Sequence, residues 1–160
     1  MVDAARAAFA EQGVDVPLDV IAARAGVGAG TVYRHFPSKE ALFAAVQEEQ
    51  VHHLIAQAED LLARGDPATA FDTFMGLLAD QARVKRDLPE AITVPTEVGE
   101  RMQQVLAALL GRAQTAGSVR ADLTAGDLVA LLKALIQIGR DADPDQLHRL
   151  RTVVLAGLRP

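Results

Sequence analysis

The chain has no cysteine and no tryptophan, and its 160 residues include one tyrosine and five phenylalanines. Without thiols it has no disulfide framework and no thiolate metal site, which suits a reducing cytoplasm. Serine is scarce: only Ser38 and Ser118 occur, and neither lies in the G-x-S-x-G elbow of a serine hydrolase. No carboxylate pair marks an identifiable cleft, so an enzyme is not expected. No window approaches eighteen consecutive apolar residues, too few for a membrane-spanning helix. The opening MVDAARAAF lacks the basic start and apolar run of a secretory signal. Bases are the minority charge, 16 against 21 acids for a net −5. The molecule as a whole therefore does not attract a polyanion, and any nucleic-acid contact must come from a local patch.

What is abundant is alanine and leucine. Half of the residues are hydrophobic, and with few aromatic and scattered β-branched residues the composition favours helix over sheet. Periodicity predicts nine helices and no strand. Residues 2–12 carry Ala5, Ala8, Phe9 and Gln12 at helical spacing before Gly13, and 18–25 follow Pro17 with Val20, Ile21 and Ala25 as apolar positions. Gly26 is placed to end that helix. A short helix spans 29–36, and Ser38 opens a long one from Lys39 to Arg64, closed by Gly65-Asp66-Pro67. Further helices are expected over 68–86, a broken segment at 87–96, 97–116, 125–139 capped by Thr124, and 144–158 behind Asp143-Pro144. The expected fold is all-α: a three-helix head joined by a long helix to a helical bundle, with the domain boundary between 48 and 49.

The stretch GVGAGTVYRHF at 26–36 admits two readings. A phosphate-cradling loop needs a strand before the glycines, and LDVIAARA is helical by pattern. Glycines at 26, 28 and 30 fit neither G-x-G-x-x-G nor the Walker spacing. A helix-turn-helix needs two short helices joined by a tight turn, and Gly26 supplies it. Val32 and Phe36 then face inward, one turn apart. Ala29 and Gly30 occupy the end that comes closest to base edges. Thr31, Tyr33 and Arg34 spread over the outer side, with Arg34 suited to guanine or phosphate and Thr31, Tyr33, His35 and Lys39 to phosphate. By pattern alone, an ordinary helix pair with Tyr33 and His35 covering a core stays open.

The order of residues is more specific than the pattern. PLDVIAARAGVGAGTVYRHFPSKEALFAAV at 17–46 closely resembles the DNA-binding signature of the tetracycline-repressor-like (TetR) family, through IAARAGV at 21–27, TVYRHF at 31–36 and KEAL at 39–42. AARAAFAEQGVD at 4–15 is similar to that family's first helix, and LLGRAQTAGSVRADLTAGDL at 109–128 to its regulatory domain. The resemblance implies a homodimeric transcriptional repressor acting in the cytoplasm. It would place Ala29, Gly30, Thr31, Tyr33 and Arg34 against a palindromic double-stranded operator, with Tyr33, His35 and Lys39 on phosphates. It further implies release by a small-molecule effector and no cofactor. Two departures stand out. Met1-Val2 sit where an apolar pair usually follows a basic segment, and Pro17 replaces the threonine that often caps the second helix. Residues 1–50 hold four bases against seven acids, a net −3, with only 24–39 locally positive. A head so charged binds DNA weakly, and a helical small-molecule or protein binder with a silent head is the competing reading.

In the C-terminal part, Phe71, Phe74, Met75, Leu78, Met102, Leu106, Leu109, Leu132 and Ile136 are candidate walls of an apolar effector cavity, unless they simply fill the core. Thr73, Arg83, Gln103 and Gln137 are candidate polar anchors. Leu128, Leu131, Leu132, Leu135 and Ile138, with Leu147, Leu150, Val153, Val154 and Leu158, make apolar faces on the last two helices. The resemblance assigns such faces to a four-helix dimer interface. Glu48, Glu49, His52 and His53 form the one polar cluster with metal-like spacing. No H-E-x-x-H accompanies it, so a solvated helix face is expected and no metal.

Overall fold

The computed structural model describes residues 1–84, 95–141 and 143–160. Among them are eight α-helices and no strand: α1 Val2–Gln12, α2 Leu18–Arg24, α3 Ala29–His35, α4 Lys39–Arg64, α5 Pro67–Val84, α6 Thr96–Thr115, α7 Ala125–Asp141 and α8 Pro144–Gly157. The broken segment expected at 87–96 falls mostly outside the described residues. The chain divides into two compact units. The first is built on Met1–His52, and the second on the chain from His53 together with Gly99–Pro160.

The first unit is organised by small apolar stripes. Ala5, Ala8 and Phe9 of α1, Leu18, Ile21 and Ala22 of α2, Val32 of α3 and Leu42, Phe43 and Val46 of α4 share one buried core. Met1 and Val2 pack against it. The rings of Phe9 and Phe43 meet edge-on at 5.2 Å, which pins α1 to α4. Val20, one of the apolar positions of the pattern, is 40% exposed. The buried stripe of α2 runs 18, 21, 22, and position 20 lies off it.

Between α2 and α3 the chain reverses in a six-residue cap. Gly26 sits at φ 68°, and its N–H donates to the Ala23 carbonyl at 3.1 Å. The Val27 N–H donates to the Ala22 carbonyl at 3.0 Å, and the Val27 side chain packs on the core. This is the Schellman arrangement, with its apolar contact in place. Pro17 starts α2 with no side-chain cap, and Gly28 starts α3 in extended backbone, also without one. At α4, Ser38 Oγ accepts the Ala41 N–H at 3.1 Å, as its position predicted.

In the second unit α5, α7 and α8 pack on one another. The turn from α4 to α5 accepts only glycine, since a Cβ on Gly65 would sit 2.4 Å from the Leu61 carbonyl oxygen. Arg112 of α6 closes the same turn, donating to the Leu62 carbonyl and, at 3.3 Å, to that of Gly65. α6 ends in a second Schellman cap at Gly117, φ 73°. Gln114 Nε2 then holds the connector through the carbonyls of Arg120 (3.0 Å) and Leu123 (2.9 Å). Thr124 and Asp127 cap α7 reciprocally. The Asp127 N–H donates to Thr124 Oγ1 at 3.2 Å, and Asp127 Oδ2 accepts the Thr124 N–H at 2.8 Å. Asp143 caps α8 by accepting the Gln146 N–H at 2.7 Å, with Pro144 at the first helical position.

Two capping predictions follow from this geometry. Gly26→Ala forces a Cβ into left-handed backbone and should lower unfolding free energy by about 1–2 kcal/mol, whereas Gly28→Ser should raise it by a few tenths of a kcal/mol; urea denaturation separates the two. Thr124→Ala should cost about 1 kcal/mol at neutral pH. The Thr124 hydroxyl and N–H hold the Asp127 carboxyl below its ordinary pKa. The pair therefore contributes fully above the ordinary carboxylate range and loses its contribution as pH falls through the lowered value. The gap between the two proteins should narrow in acid.

Candidate nucleic-acid interface

α3 is seven residues long and buries one side chain fully, Val32. Phe36 follows half-buried, its N–H on the Val32 carbonyl at 2.8 Å. With that face inward, the remaining positions must look outward. Tyr33 is 51% exposed although it is large and aromatic. Gly30, Arg34 and His35 are exposed, Thr31 and Ala29 are half-buried, and Lys39 is half-buried at the start of α4. The sequence-predicted DNA residues thus share one short helix and the helix start that follows it. Arg34 Nε donates to the Gly30 carbonyl at 3.2 Å, which lays the guanidinium back along α3 and leaves its other donors outward. A Cβ built on Gly30 meets nothing within 4 Å, and its backbone is not in the glycine-favouring region. Nothing inside the chain requires a glycine there.

Charge distributes less simply than the sequence suggests. Residues 24–39 are positive when read along the chain, but folding brings in carboxylates from the end of α1 and the turn after it. Arg24 Nη1 and Nη2 engage Glu11 Oε2 and Oε1 at 2.6 and 2.7 Å. This bidentate pair lowers the Glu11 pKa and raises that of Arg24, in both cases chiefly through the shared hydrogen bonds. Lys39 Nζ lies 4.0 Å from Asp15 Oδ1, and Arg6 is paired with Asp3. Of the four cations in the first fifty residues, Arg34 is the one with no carboxylate partner among the described residues. The Glu11–Arg24 pair carried no sequence signal, because thirteen residues and a turn separate its members.

The other expected sites resolve differently. Phe71, Phe74, Met75, Leu106 and Leu109 are sealed in the second unit at 1% exposure or less. Leu78, Met102 and Leu132 are half-buried, and the side chains of Ile136 and Arg83 lie outside the described residues. Thr73 and Gln137 are exposed, and Gln103 lies in a surface groove. Of the expected dimer face, Leu128, Leu135, Leu147 and Leu158 are buried within a single copy, which removes them from an outer surface. Leu131, Leu150 and Val154 are half-buried, while Ile138 and Val153 are 44% and 68% exposed. His52 Nε2 is 3.8 Å from Glu48 Oε1, and no group of three metal-ligating side chains occurs among the described residues. No helix among them is long and apolar enough to cross a membrane.

Known proteins share the chain's sequence features and its fold. Residues 1–46 match the family model described as bacterial regulatory proteins, tetR family. Residues 66–160 match that of the transcriptional regulator SbtR-like C-terminal domain. The crystal structure of a TetR transcription regulatory protein from Mycobacterium vanbaalenii is 36% identical, with a TM-score of 0.74 over 99% of this chain and 92% of that one. A TetR transcriptional regulator from Streptomyces coelicolor is 35% identical, with a TM-score of 0.76 over 99% and 96%. An HTH-type transcriptional regulator of Staphylococcus aureus is 43% identical over 56 residues, 33% of this chain and 29% of that protein's own length.

The open space around Gly30 gives a stability test. Gly30→Ala should raise the unfolding free energy by up to about 1 kcal/mol, the helix-propensity difference. A loss of stability on thermal denaturation would show that the site is sterically closed.

Proposed function

The chain belongs to the TetR family of DNA-binding transcriptional regulators, which are not enzymes, and from that premise we propose that it is a homodimeric repressor of a palindromic operator, released by a small molecule. The observation that carries the DNA reading is the exposed face of α3. Tyr33 and Arg34 stand outward where packing alone would cover an aromatic ring, and Gly30 keeps open a helix position that folding does not need open.

Sequence reading is assigned to Thr31, Tyr33 and Arg34, since Ala29 and Gly30 offer no side-chain hydrogen bond and serve close approach instead. His35 and Lys39, with Tyr33, take phosphates. Two α3 helices of a dimer would occupy successive major grooves about 34–36 Å apart. Dimerisation is assigned to α7 and α8, which pack together and carry the exposed Ile138 and Val153. A ligand that favours a different spacing of the two heads lowers operator affinity by its differential affinity for the two states. α4 runs unbroken for 26 residues from the end of the helix-turn-helix and is the element assigned to carry that change. Such a regulator works in the cytoplasm, beside its operator.

Binding to the DNA flanking the protein's own gene, measured at two salt concentrations with nonspecific competitor, tests the reading. A protected, roughly palindromic site that weakens with salt is expected. Arg34→Ala should reduce its affinity by about ten- to a hundredfold, the value of one good base contact. Gly30→Ala should weaken binding even though it stabilises the fold. Absence of any salt-dependent binding by the full-length protein would favour the silent-head binder instead. For the dimer, Val153→Glu should shift the mass measured by light scattering toward that of one chain.

A further inference from the structure

The surface of α6 holds a site that the DNA reading does not use. A groove of about 630 Å³ opens between α6 and the start of α5, lined by Pro67, Ala107, Ala108, Gly111, Arg112 and Thr115. Its walls are small and apolar, and the Thr115 hydroxyl is spent on the Gly111 carbonyl at 2.8 Å. Arg112 is the one charged side chain among these lining residues. Its guanidinium is half-buried, bonded to the carbonyls of Leu62 and Gly65. Those carbonyls orient it but do not neutralise it. No carboxylate pairs with it among the described residues, whereas Arg6, Arg24, Arg64, Arg101, Arg120 and Arg159 each have one. Two of its five N–H groups are used, so three remain for a ligand.

A fixed, half-desolvated cation without a counter-ion at the edge of an apolar groove selects an anion with an apolar body. We propose that this groove binds a small organic carboxylate, its head on the free N–H groups of Arg112 and its body along Ala107, Ala108 and Gly111. A second groove of about 420 Å³ adjoins it through Ala107 and continues along α6 past Gln103 and Gln104. Gln104 lies about 12 Å along the helix axis from Arg112 and under a quarter turn away. Longer bodies therefore have somewhere to run, and a far end that donates hydrogen bonds meets the Gln104 amide and the Glu100 carboxylate. The groove at Arg112 uses none of the residues assigned to the operator or to the dimer.

Isothermal titration of the full chain with hexanoate, and with hexanamide at the same ionic strength, is the test. Hexanoate should bind with a dissociation constant on the order of 1 mM, at least tenfold more tightly than the amide. Octanoate should gain about two- to threefold per added methylene. Arg112→Gln should abolish the preference for acid over amide, and Arg112→Lys should restore part of it. Because Arg112 also closes the α4–α5 turn, Ala108→Leu provides a second variant. Ala108 is exposed, so leucine there fills the groove without disturbing the core, and should weaken hexanoate at least fivefold with an unchanged melting curve. Equal binding of acid and amide, no hexanoate binding up to tens of millimolar, or indifference to Ala108→Leu would each overturn the proposal.

Discussion

The outward face of α3 depends on one backbone reversal, the left-handed glycine at position 26. Its N–H and that of Val27 take the last free carbonyls of α2, and Val27 drops onto the core. That cap sets the angle at which α3 leaves, and α3 is too short to set it unaided. With Val32 as its single fully buried side chain, α3 is held in place by its ends. The Schellman cap precedes it, and Phe36 with the Ser38-capped start of α4 follows. An exposed tyrosine and an open glycine can persist between them because the fold does not draw on them for its stability.

The electrostatics show a similar division. The head carries few cations, and three of the four are bound to its own carboxylates. These are surface pairs, each worth little to stability, but each lowers the charge presented to a phosphate backbone. Arg34, held only by a carbonyl of its own helix, keeps its full charge outward. The second unit repeats the pattern with Arg112, whose partners are carbonyls rather than carboxylates. Arg34 and Arg112 are each held by backbone carbonyls, whereas Arg24 and Arg101 are tied by carboxylates to a neighbouring helix.

Much of this was legible in the residues. The limits of α1 and α4 agree with the sequence reading, because Gly13, Ser38 and the Gly65-Asp66-Pro67 break are strong local signals. The caps of α7 and α8 agree too, since Thr124 and Asp143 act through residues three positions away. The outward set of α3 followed from one helical wheel. What the residues did not state was which segments meet across the chain. Val20 is apolar yet lies off the buried stripe, and Leu128, Leu135, Leu147 and Leu158 are apolar yet spent within one copy. An apolar stripe states that a face is buried, not what buries it.

The sequence by itself therefore determined the helices, their caps, the turn at Gly26 and the residues of α3 that look outward, because each rests on interactions spanning no more than a few positions. Only the tertiary structure decided which charges are free. It decided that Glu11 neutralises Arg24, that Asp15 approaches Lys39, and that Arg112 is anchored on the end of α4 beside a groove. Ion pairs and grooves form between segments distant along the chain, and no local pattern of residues encodes which segments meet.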